Sequence, residues 1–356
     1  LMSNSSYLKR LLSASVAMVA TVGLLGTAPA QAEKIVISNW DGYMPADLLE
    51  NFTKATGYEA ELALHATNEE IMGKVTASGG KGYDVIFVSS PFVEALDALG
   101  LSATLDHDKI PNLSNLYPEA SKLSYDMGNN ISVPYTWGTT GLCYRSDMVE
   151  GTPDSWDDLL KPSDALKGKI TMLSTDRWLM GAGALALGYS INETESSKIE
   201  NIKNTLIAAK KNLLAYDDAT FYAKLVSGEA SLVHAWDGWC NYGIAENTDI
   251  KYIIPKEGTD LFVDAMVVME TSSNKDAAHA FLNYVLNAEI GNWVVSNILY
   301  KSPNRAAMDT LDPSIIEAFP NVGMKPADML KYETMRDLGS AQKAYTRAVT
   351  EILASQ

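Results

Sequence analysis

The chain has 356 residues, a formal net charge of −16 at pH 7 and a hydrophobic content of 47%. The acidity disfavours nucleic acid and anionic membranes as partners and favours cations. The hydrophobic content and the ordinary Gly and Pro counts indicate a folded chain without low-complexity tracts or repeats, and the length predicts two domains.

Residues 1–32 have the three parts of a secretory signal peptide. Lys9 and Arg10 form a positive region, the apolar run after them is too short to span a membrane, and Ala30-Gln31-Ala32 fits the small-x-small cleavage rule. Loss of the two positive charges takes the net charge from −16 to −18 in a mature chain beginning at Glu33. We therefore expect a soluble protein exported to the periplasm.

The mature chain opens on a strand followed by an aromatic and acidic turn. Residues 34–38 are rich in Ile and Val, and Asn39-Trp40-Asp41-Gly42-Tyr43 follows them, before a helix that starts after Pro45 and ends at Gly57. Ligands of open α/β sheets bind at the carboxyl ends of strands, and aromatic faces beside an anion suit an organic cation. The alternative is that Trp40 and Tyr43 only plug the end of the sheet.

Two further strands and two helices follow. Residues 58–64 alternate as a strand does, Thr67-x-x-Glu70 predicts a capping box that opens a helix, and residues 84–88 are a third strand. This strand ends at Ser89-Ser90-Pro91-Phe92, where Ser90 is the expected helix N-cap. Capping explains Ser90 better than Ser89, so Ser89 is a candidate ligand contact.

Residues 129–140 are extended and aromatic, and we expect them to form the first crossing between two domains. Beyond the crossing, strands and helices alternate to the end of the chain, which predicts an α/β fold. The predicted strands are residues 142–144, 170–173, 230–236, 250–255 and a run ending at 269, and the predicted helices end at 187 or span 197–213, 220–227, 275–286 and 338–353.

Aromatic and acidic residues recur together beside predicted strands. The clusters are Trp40/Asp41/Tyr43, Asp176/Trp178, Trp236/Asp237/Trp239 and Phe262/Asp264. One such cluster is ordinary, but four at strand ends are hard to explain by packing alone. They indicate a site lined by aromatic rings and carboxylates.

Cys143 and Cys240 are the only two cysteines. An exported chain with an even count can form one disulfide, and two buried thiols fit the sequence equally well. Neither cysteine lies in a CxxC motif, and no histidine is spaced to complete a metal site with them.

The motifs and their order resemble those of the periplasmic polyamine-binding proteins, the substrate-binding subunits of spermidine/putrescine ABC importers. The resemblance covers essentially the whole mature chain. Its markers are Asn39-Trp40-x-x-Tyr43, Tyr83-Asp84-Val85, Ser89, Pro134-Tyr135-x-Trp137-Gly138, Ser155-Trp156-Asp157-Asp158-Leu159, Gly228-Glu229, Ile254-Pro255-Lys256-Glu257-Gly258, Asp264 and Tyr300-x-x-Pro303-Asn304.

The resemblance implies a type II periplasmic binding protein, in which two α/β lobes joined by two crossings close on a ligand like a hinged clamp. From the strand-rich blocks around the crossings we expect one lobe of residues 33–138 plus 263–304. The other lobe is then residues 139–262 plus 305–356. The implied partners are a polyamine and a membrane ABC permease, with no cofactor, no metal and no nucleic acid, and the protein is expected to be a monomer.

The resemblance also implies individual ligand contacts. The implied contacts are the aromatic walls Trp40, Tyr43, Trp236, Phe262 and Tyr300, the polar contact Ser89 and the main amine-binding carboxylate Asp264. Asp41 occupies a position that is usually a small polar residue in the family. A protonated amine needs a carboxylate for its ammonium head, since a buried unpaired charge is costly, and apolar walls for its stem.

Two departures from the family pattern affect the second lobe. Thr175 and Trp178 stand where the family often has an acid, and Met335 stands where spermidine binders have Gln. Fewer acids should hold fewer amines, which argues against the full spermidine mode. Asp264 is expected to hold one ammonium, and Asp41, Asp176 or Asp237 a second.

Other functions have weaker support in the sequence. The chain has no GxSxG, HExxH or CxxC motif, and its one GxGxxG/A-like run, residues 181–186, falls inside a predicted helix, so we expect no enzyme. Related two-lobed proteins bind ferric ion or small anions, but Tyr300 has no adjacent Tyr and only Arg177 follows a strand. A periplasmic polyamine sensor would have the same sequence features as a transport protein.

Overall fold

The computed structural model describes residues 34–356, so the predicted signal peptide lies outside the described residues. The strands are β1 (Lys34–Asn39), β2 (Glu59–Leu64), β3 (Val85–Ser89), β4 (Val133–Arg145), β5 (Ile170–Met172), β6 (Ala215–Tyr216), β7 (Leu232–Trp236), β8 (Ile250–Ile253), β9 (Asp260–Val268) and β10 (Glu333–Thr334). The α-helices are α1 (Leu48–Thr56), α2 (Asn68–Ser78), α3 (Ser90–Ala98), α4 (Asp157–Leu160), α5 (Asp176–Ala186), α6 (Ser196–Lys210), α7 (Phe221–Ser227), α8 (Asp237–Glu246), α9 (Lys275–Val285), α10 (Ala288–Ile298), α11 (Arg305–Asp309), α12 (Pro313–Ala318), α13 (Pro326–Met329) and α14 (Gln342–Ala354). Short 3-10 helices span His107–Lys109, Pro111–Asn115, Pro118–Ser121, Asp164–Leu166, Pro320–Gly323 and Gly339–Ala341.

The strands form one mixed sheet in the order β2-β1-β3-β9-β4-β7-β5-β6, with β10 beside β9 and β8 beside β4. This arrangement confirms the predicted α/β class. Strand β4 joins the two halves of the sheet, because its first part pairs with β9 and its last part pairs with β7 and β8. We call β1, β2, β3, β9, β10 and the start of β4 the first sheet half, and the end of β4 with β5 to β8 the second sheet half.

The predicted crossing is therefore one continuous strand rather than a linker followed by a new strand. Pro134 and Gly138 interrupt the strand pattern in the sequence, and Pro134 cannot donate a hydrogen bond to a neighbouring strand. The register shifts between Pro134 and Thr136, and this irregularity lets the strand accommodate the proline without ending.

Within each half, three strands run parallel: β1, β2 and β3 in the first, and β5, β6 and β7 in the second. The carboxyl ends of parallel strands share one edge of a sheet, so the loops that follow them lie close together. In open α/β sheets this edge is where ligands bind.

Apolar residues of the two halves bury into separate cores. Phe52, Phe87 and Phe281 belong to the first, whereas Trp156 and Tyr345 belong to a second that packs on the other sheet half. Met329 packs in the first core although the predicted boundaries place it in the other lobe. The lobe boundaries stay a prediction.

Most predicted elements are present, with shifts at their ends. Helix α1 ends at Gly57, whose φ of +81° favours glycine, as the pattern predicts. The residue before α3 is Ser89 rather than Ser90, and Ser90 Oγ instead donates to the Met335 carbonyl. The last helix starts at Gln342 rather than Leu338.

Cys143 and Cys240 form a disulfide with a Cα–Cα distance of 5.8 Å, which settles the alternative left open by the sequence. The bond ties β4 to α8 across 97 residues of sequence. Over residues 34–356, no helix is long and apolar enough to cross a membrane.

Candidate functional site

Two adjoining cavities lie where the carboxyl ends of both sheet halves meet. The inner cavity, of about 470 Å³, is lined by Trp40, Asp41, Gly42, Tyr43, Ala66, Thr67, Ser89, Trp178, Asp218, Trp236, Trp239, Tyr242, Phe262, Asp264, Ile298 and Tyr300. The outer cavity, of about 630 Å³, shares Trp40, Ala66, Thr67, Ser89, Trp178 and Trp236 with it and adds Asp176, Arg177, Met335, Asp337 and Thr346 among others. The shared residues mark the boundary between the two.

The inner cavity has a buried carboxylate, that of Asp264 on β9. The antiparallel register places Asp264 opposite Ser89 of β3 and beside Thr136 of β4. Ser89 Oγ donates to Oδ1 at 2.7 Å, Tyr43 OH donates to Oδ2 at 2.6 Å, and Thr136 Oγ1 lies 2.6 Å from the Tyr43 oxygen. Three neutral hydroxyl groups, two from neighbouring strands and one from the loop after β1, thus hold the carboxylate in place.

Burial raises the pKa of Asp264, and the hydrogen bonds from Tyr43, Ser89 and Thr136 oppose that rise in part. Burial, together with the Asp264 charge, also raises the pKa of Tyr43, which keeps that hydroxyl protonated as a donor. An ammonium group in contact with Asp264 would favour the ionised carboxylate and lower the pKa again.

Aromatic rings connect the two sheet halves around the inner cavity. Successive rings lie 5.4–6.5 Å apart between centroids, in the order Trp40, Tyr43, Tyr300, Phe262, Trp178, Trp236, Trp239 and Tyr242. Two glycines make room for them: a Cβ at Gly238 would lie 2.2 Å from the Tyr300 ring, and one at Gly138 would lie 2.5 Å from the Phe262 ring. A larger residue at either position would displace an aromatic wall.

The second sheet half contributes residues that the sequence analysis missed. Trp239 was placed in a cluster but not in the site, and Tyr242 one turn along α8 was not singled out. Asp218 follows the two-residue strand β6, which was not predicted, and an acid after a strand would have been its signal. Ser174 N donates to Asp218 Oδ1 at 2.8 Å and Ser174 Oγ donates to Oδ2, so the carboxylate is held towards the β5 loop.

The three predicted candidates for a second ammonium anchor lie in different places. Asp237 does not line either cavity, because its buried carboxylate pairs with Lys301 and accepts from Thr139 N at 2.9 Å. Asp176 lines only the outer cavity, and Thr346 Oγ1 donates to it at 2.8 Å. Asp41 is exposed at the rim of the inner cavity.

The predicted aromatic contacts and Asp264 come together, as do Ser89 and Trp178. Within the described part of the chain, the inner cavity is lined by three carboxylates and by no Lys or Arg. Arg177 lines the outer cavity, but its guanidinium is largely buried and donates to Asn192 Oδ1 and to the Arg336 carbonyl. The inner cavity therefore suits a cation rather than an anion.

Comparisons with known proteins agree on one family. The family model "Bacterial extracellular solute-binding protein" matches residues 47–310. The chain is 29% identical over 326 residues to the spermidine/putrescine-binding periplasmic protein of Escherichia coli (strain K12), covering 90% of this chain and 92% of that protein. It is 30% identical over 336 residues to the putrescine-binding periplasmic protein PotF of the same organism, covering 89% and 90% respectively.

A solved structure described as a putative spermidine/putrescine ABC transporter from Listeria monocytogenes superposes with a TM-score of 0.81 at 28% identity, over 91% of this chain and all of that one. The fold is that of type II periplasmic binding proteins, as predicted. The similar proteins are named for binding and transport rather than for catalysis. With the family model matching most of its length, the chain belongs to the family of bacterial extracellular solute-binding proteins.

Proposed function

We propose that this protein captures a small oligoamine of the putrescine and spermidine class in the periplasm and delivers it to a membrane ABC permease. The observation that carries the proposal is the buried carboxylate of Asp264. Among residues 34–356 it has no ion-pair partner, and none of these residues that line its aromatic cavity is basic. The names of the similar proteins support the same ligand class.

The chemistry of the cavity matches both parts of an aliphatic amine, its charged head and its alkyl stem. A buried carboxylate is costly without a partner, and an ammonium head removes that cost through charge-assisted hydrogen bonds. The alkyl stem then lies against aromatic rings, and each well-placed ring over the charged end adds about 0.5–2 kcal/mol. A sugar would leave its hydroxyls facing apolar walls, and an acid would be repelled by Asp264.

Delivery to a permease, and action as a monomer, follow from how the family's binding proteins work rather than from a contact in the structure. The closing of two lobes on a ligand provides the physical signal, because only a ligand that contacts both halves shifts the equilibrium between open and closed forms.

A thermal-shift panel on the chain from Glu33 tests the ligand class. We expect stabilisation by putrescine or another oligoamine, by about 2.7 kcal/mol at 100 times the dissociation constant. Glucose, glutamate and phosphate at the same concentration should give no shift. Stabilisation by ferric ion or by an anion, with none from any amine, would overturn the proposal.

A matched pair of variants makes the panel specific for the site. Asp264→Asn should lose the amine shift, whereas Asp164→Asn should retain it, because Asp164 is almost fully exposed and pairs with the exposed Lys167. Equal loss in both variants would indicate a response to net charge and not to the cavity.

A further inference from the structure

We infer that Asp218 is the second ammonium anchor, so that the inner cavity selects a diamine bound between Asp264 and Asp218. The inference rests on the proposed function and assigns a ligand contact that the sequence did not identify. Asp264 belongs to the first sheet half and Asp218 to the second, and both line the same cavity.

Elimination among the acids near the cavities leads to Asp218. Asp237 pairs with Lys301 outside both cavities. The acids Glu69, Asp176 and Asp337 line only the outer cavity. Asp217, next to Asp218 in sequence, pairs with Lys224 of α7 and accepts from Thr220 N. Its charge is therefore already neutralised within the protein. Asp41 is exposed and lies on the same sheet half as Asp264.

The fold and two neighbouring residues hold the Asp218 carboxylate in place. Asp218 follows β6, whose neighbour β5 runs parallel to it and ends at the loop containing Ser174. Ser174 donates to both carboxylate oxygens, from N to Oδ1 at 2.8 Å and from Oγ to Oδ2, and Thr175 N donates to Oδ1 at 3.4 Å. All three donors are neutral, and within the described residues Asp218 has no ion-pair partner, so its charge is available to a ligand.

The rest of the second wall favours a short diamine over a longer polyamine. Trp178, Trp236 and Trp239 supply apolar and π surface around Asp218 but no further charge. One carboxylate on each side and aromatic rings between them match an alkyl chain with an ammonium at each end. A diamine held this way contacts both sheet halves, whereas a monoamine held at Asp264 does not need the second.

Calorimetry with putrescine and n-pentylamine tests the assignment, because n-pentylamine has the same length and replaces one ammonium with a methyl group. Asp218→Asn keeps an oxygen that can accept from Ser174 N and removes the charge. We expect putrescine to bind this variant at least ~10-fold more weakly, as for a half-buried charge pair, and n-pentylamine to change less than about threefold. Asp218→Ser, which has a smaller side chain, should show the same selectivity.

The controls separate this inference from the proposed function. Asp164→Asn should bind both amines as the parent protein does. Asp264→Asn should weaken both, and if it does while Asp218→Asn weakens neither or both equally, the Asp218 anchor is wrong and amine capture stands. If the parent protein binds neither amine, the proposed function fails and the Asp218 inference fails with it.

Discussion

The two walls of the inner cavity are built in different ways. The first wall is a polar network inside the sheet, where Asp264 accepts from Ser89 on the neighbouring strand and from Tyr43 on the loop after β1. The second wall is mostly aromatic, and its carboxylate, that of Asp218, is half-buried on the loop after the two-residue strand β6. A group fixed by sheet register cannot move without breaking the sheet, whereas a loop residue can change at small cost to the fold.

This difference assigns separate tasks to the two walls. On the proposed function, the first would provide a fixed charge for any amine, and the second would determine which group the far end of the ligand must carry. Of the departures from the family pattern, Trp178 lies on the second wall, whereas Thr175 and Met335 line only the outer cavity beside it. We therefore expect variation in ligand choice among similar proteins to come from this side of the cavity.

A buried ion pair lies beneath the second wall, outside both cavities. Lys301 and Asp237 are 2% and 1% exposed, and Asp237 also accepts from Thr139 N on β4. Trp137, also on β4, donates its backbone N–H to the Lys301 carbonyl at 3.2 Å in an isolated bridge. The pair thus joins the segment after α10, the start of α8 and the strand that links the two sheet halves.

Lys301→Met should give the largest change in stability. It leaves the Asp237 charge buried without its partner, which costs about 3–5 kcal/mol in comparable cases. Urea unfolding at pH 7 measures the change. Lys331→Met is the matched control, because that lysine is 71% exposed and pairs with the exposed Asp328, and it should cost less than about 1 kcal/mol. Similar losses in both variants would show that the buried pair contributes nothing special.

Asp264→Asn should give the largest change in binding. Truncating one partner of a buried charge pair costs about 2–5 kcal/mol, so every amine should bind at least ~30-fold more weakly. Calorimetry with putrescine and n-pentylamine measures the loss.

The same substitution should not destabilise the ligand-free protein at neutral pH. Because burial raises the pKa of Asp264, folding favours its protonated form, and this contribution is lost as pH rises through the folded pKa. Asn resembles that neutral form, so the variant should unfold at the same or a higher temperature. Wild-type affinity, or lost affinity together with a large loss of stability, would contradict the role of Asp264 as a ligand anchor.

A pH-dependent effect is expected at Asp260, at the start of β9. Thr140 Oγ1 donates to its Oδ1, while Oδ2 is buried with no hydrogen-bond partner among residues 34–356. Burial raises the pKa of Asp260 to about 6. The raised value means that the folded protein binds the proton more tightly than the unfolded chain. The stability from Asp260 is therefore fully present below pH 3.8 and lost as pH rises through about 6.

Asp260→Asn should remove this dependence. The variant should be more stable than the parent at pH 8, by at most about 3 kcal/mol for a shift of roughly two pKa units, and the difference should shrink towards pH 4. Thermal unfolding of both proteins across this range measures it, with Asp164→Asn as a control at an exposed site. A difference that stays constant with pH would contradict the buried carboxylate as its cause.

The sequence predicted the first wall better than the second for physical reasons. Strands β1, β3 and β9 have long apolar runs, so their ends and the aromatic and acidic residues there could be located. Strand β6 has two residues, which is too short to show a period, and Asp218 was missed with it. A lysine buried against an acid 64 residues away leaves no local pattern, so Asp237 was interpreted as a ligand contact.

The alternation of strands and helices was also enough to predict the fold class, since each element carries its own apolar period. Capping details were less predictable, because Ser89 and Ser90 both satisfy the preference for a helix N-cap. Their side chains instead form tertiary hydrogen bonds: Ser89 Oγ donates to Asp264, and Ser90 Oγ donates to the Met335 carbonyl. The pairing of Cys143 with Cys240 likewise depends on the approach of β4 and α8.

The smallest expected effect is that of Asp176→Asn, which tests whether the outer cavity takes part in diamine binding. Asp176 belongs to the second sheet half, but its carboxylate accepts from Thr346 of α14 and does not reach the inner cavity. Its charge then acts on the ligand only at a distance, where water and salt screen it, so putrescine and n-pentylamine should both lose less than about threefold in affinity. The loss should fall further at higher ionic strength. If Asp176→Asn instead weakens putrescine selectively while Asp218→Asn does not, the second ammonium lies beyond Trp178 in the outer cavity, and the division of tasks between the two walls must be redrawn around Asp176.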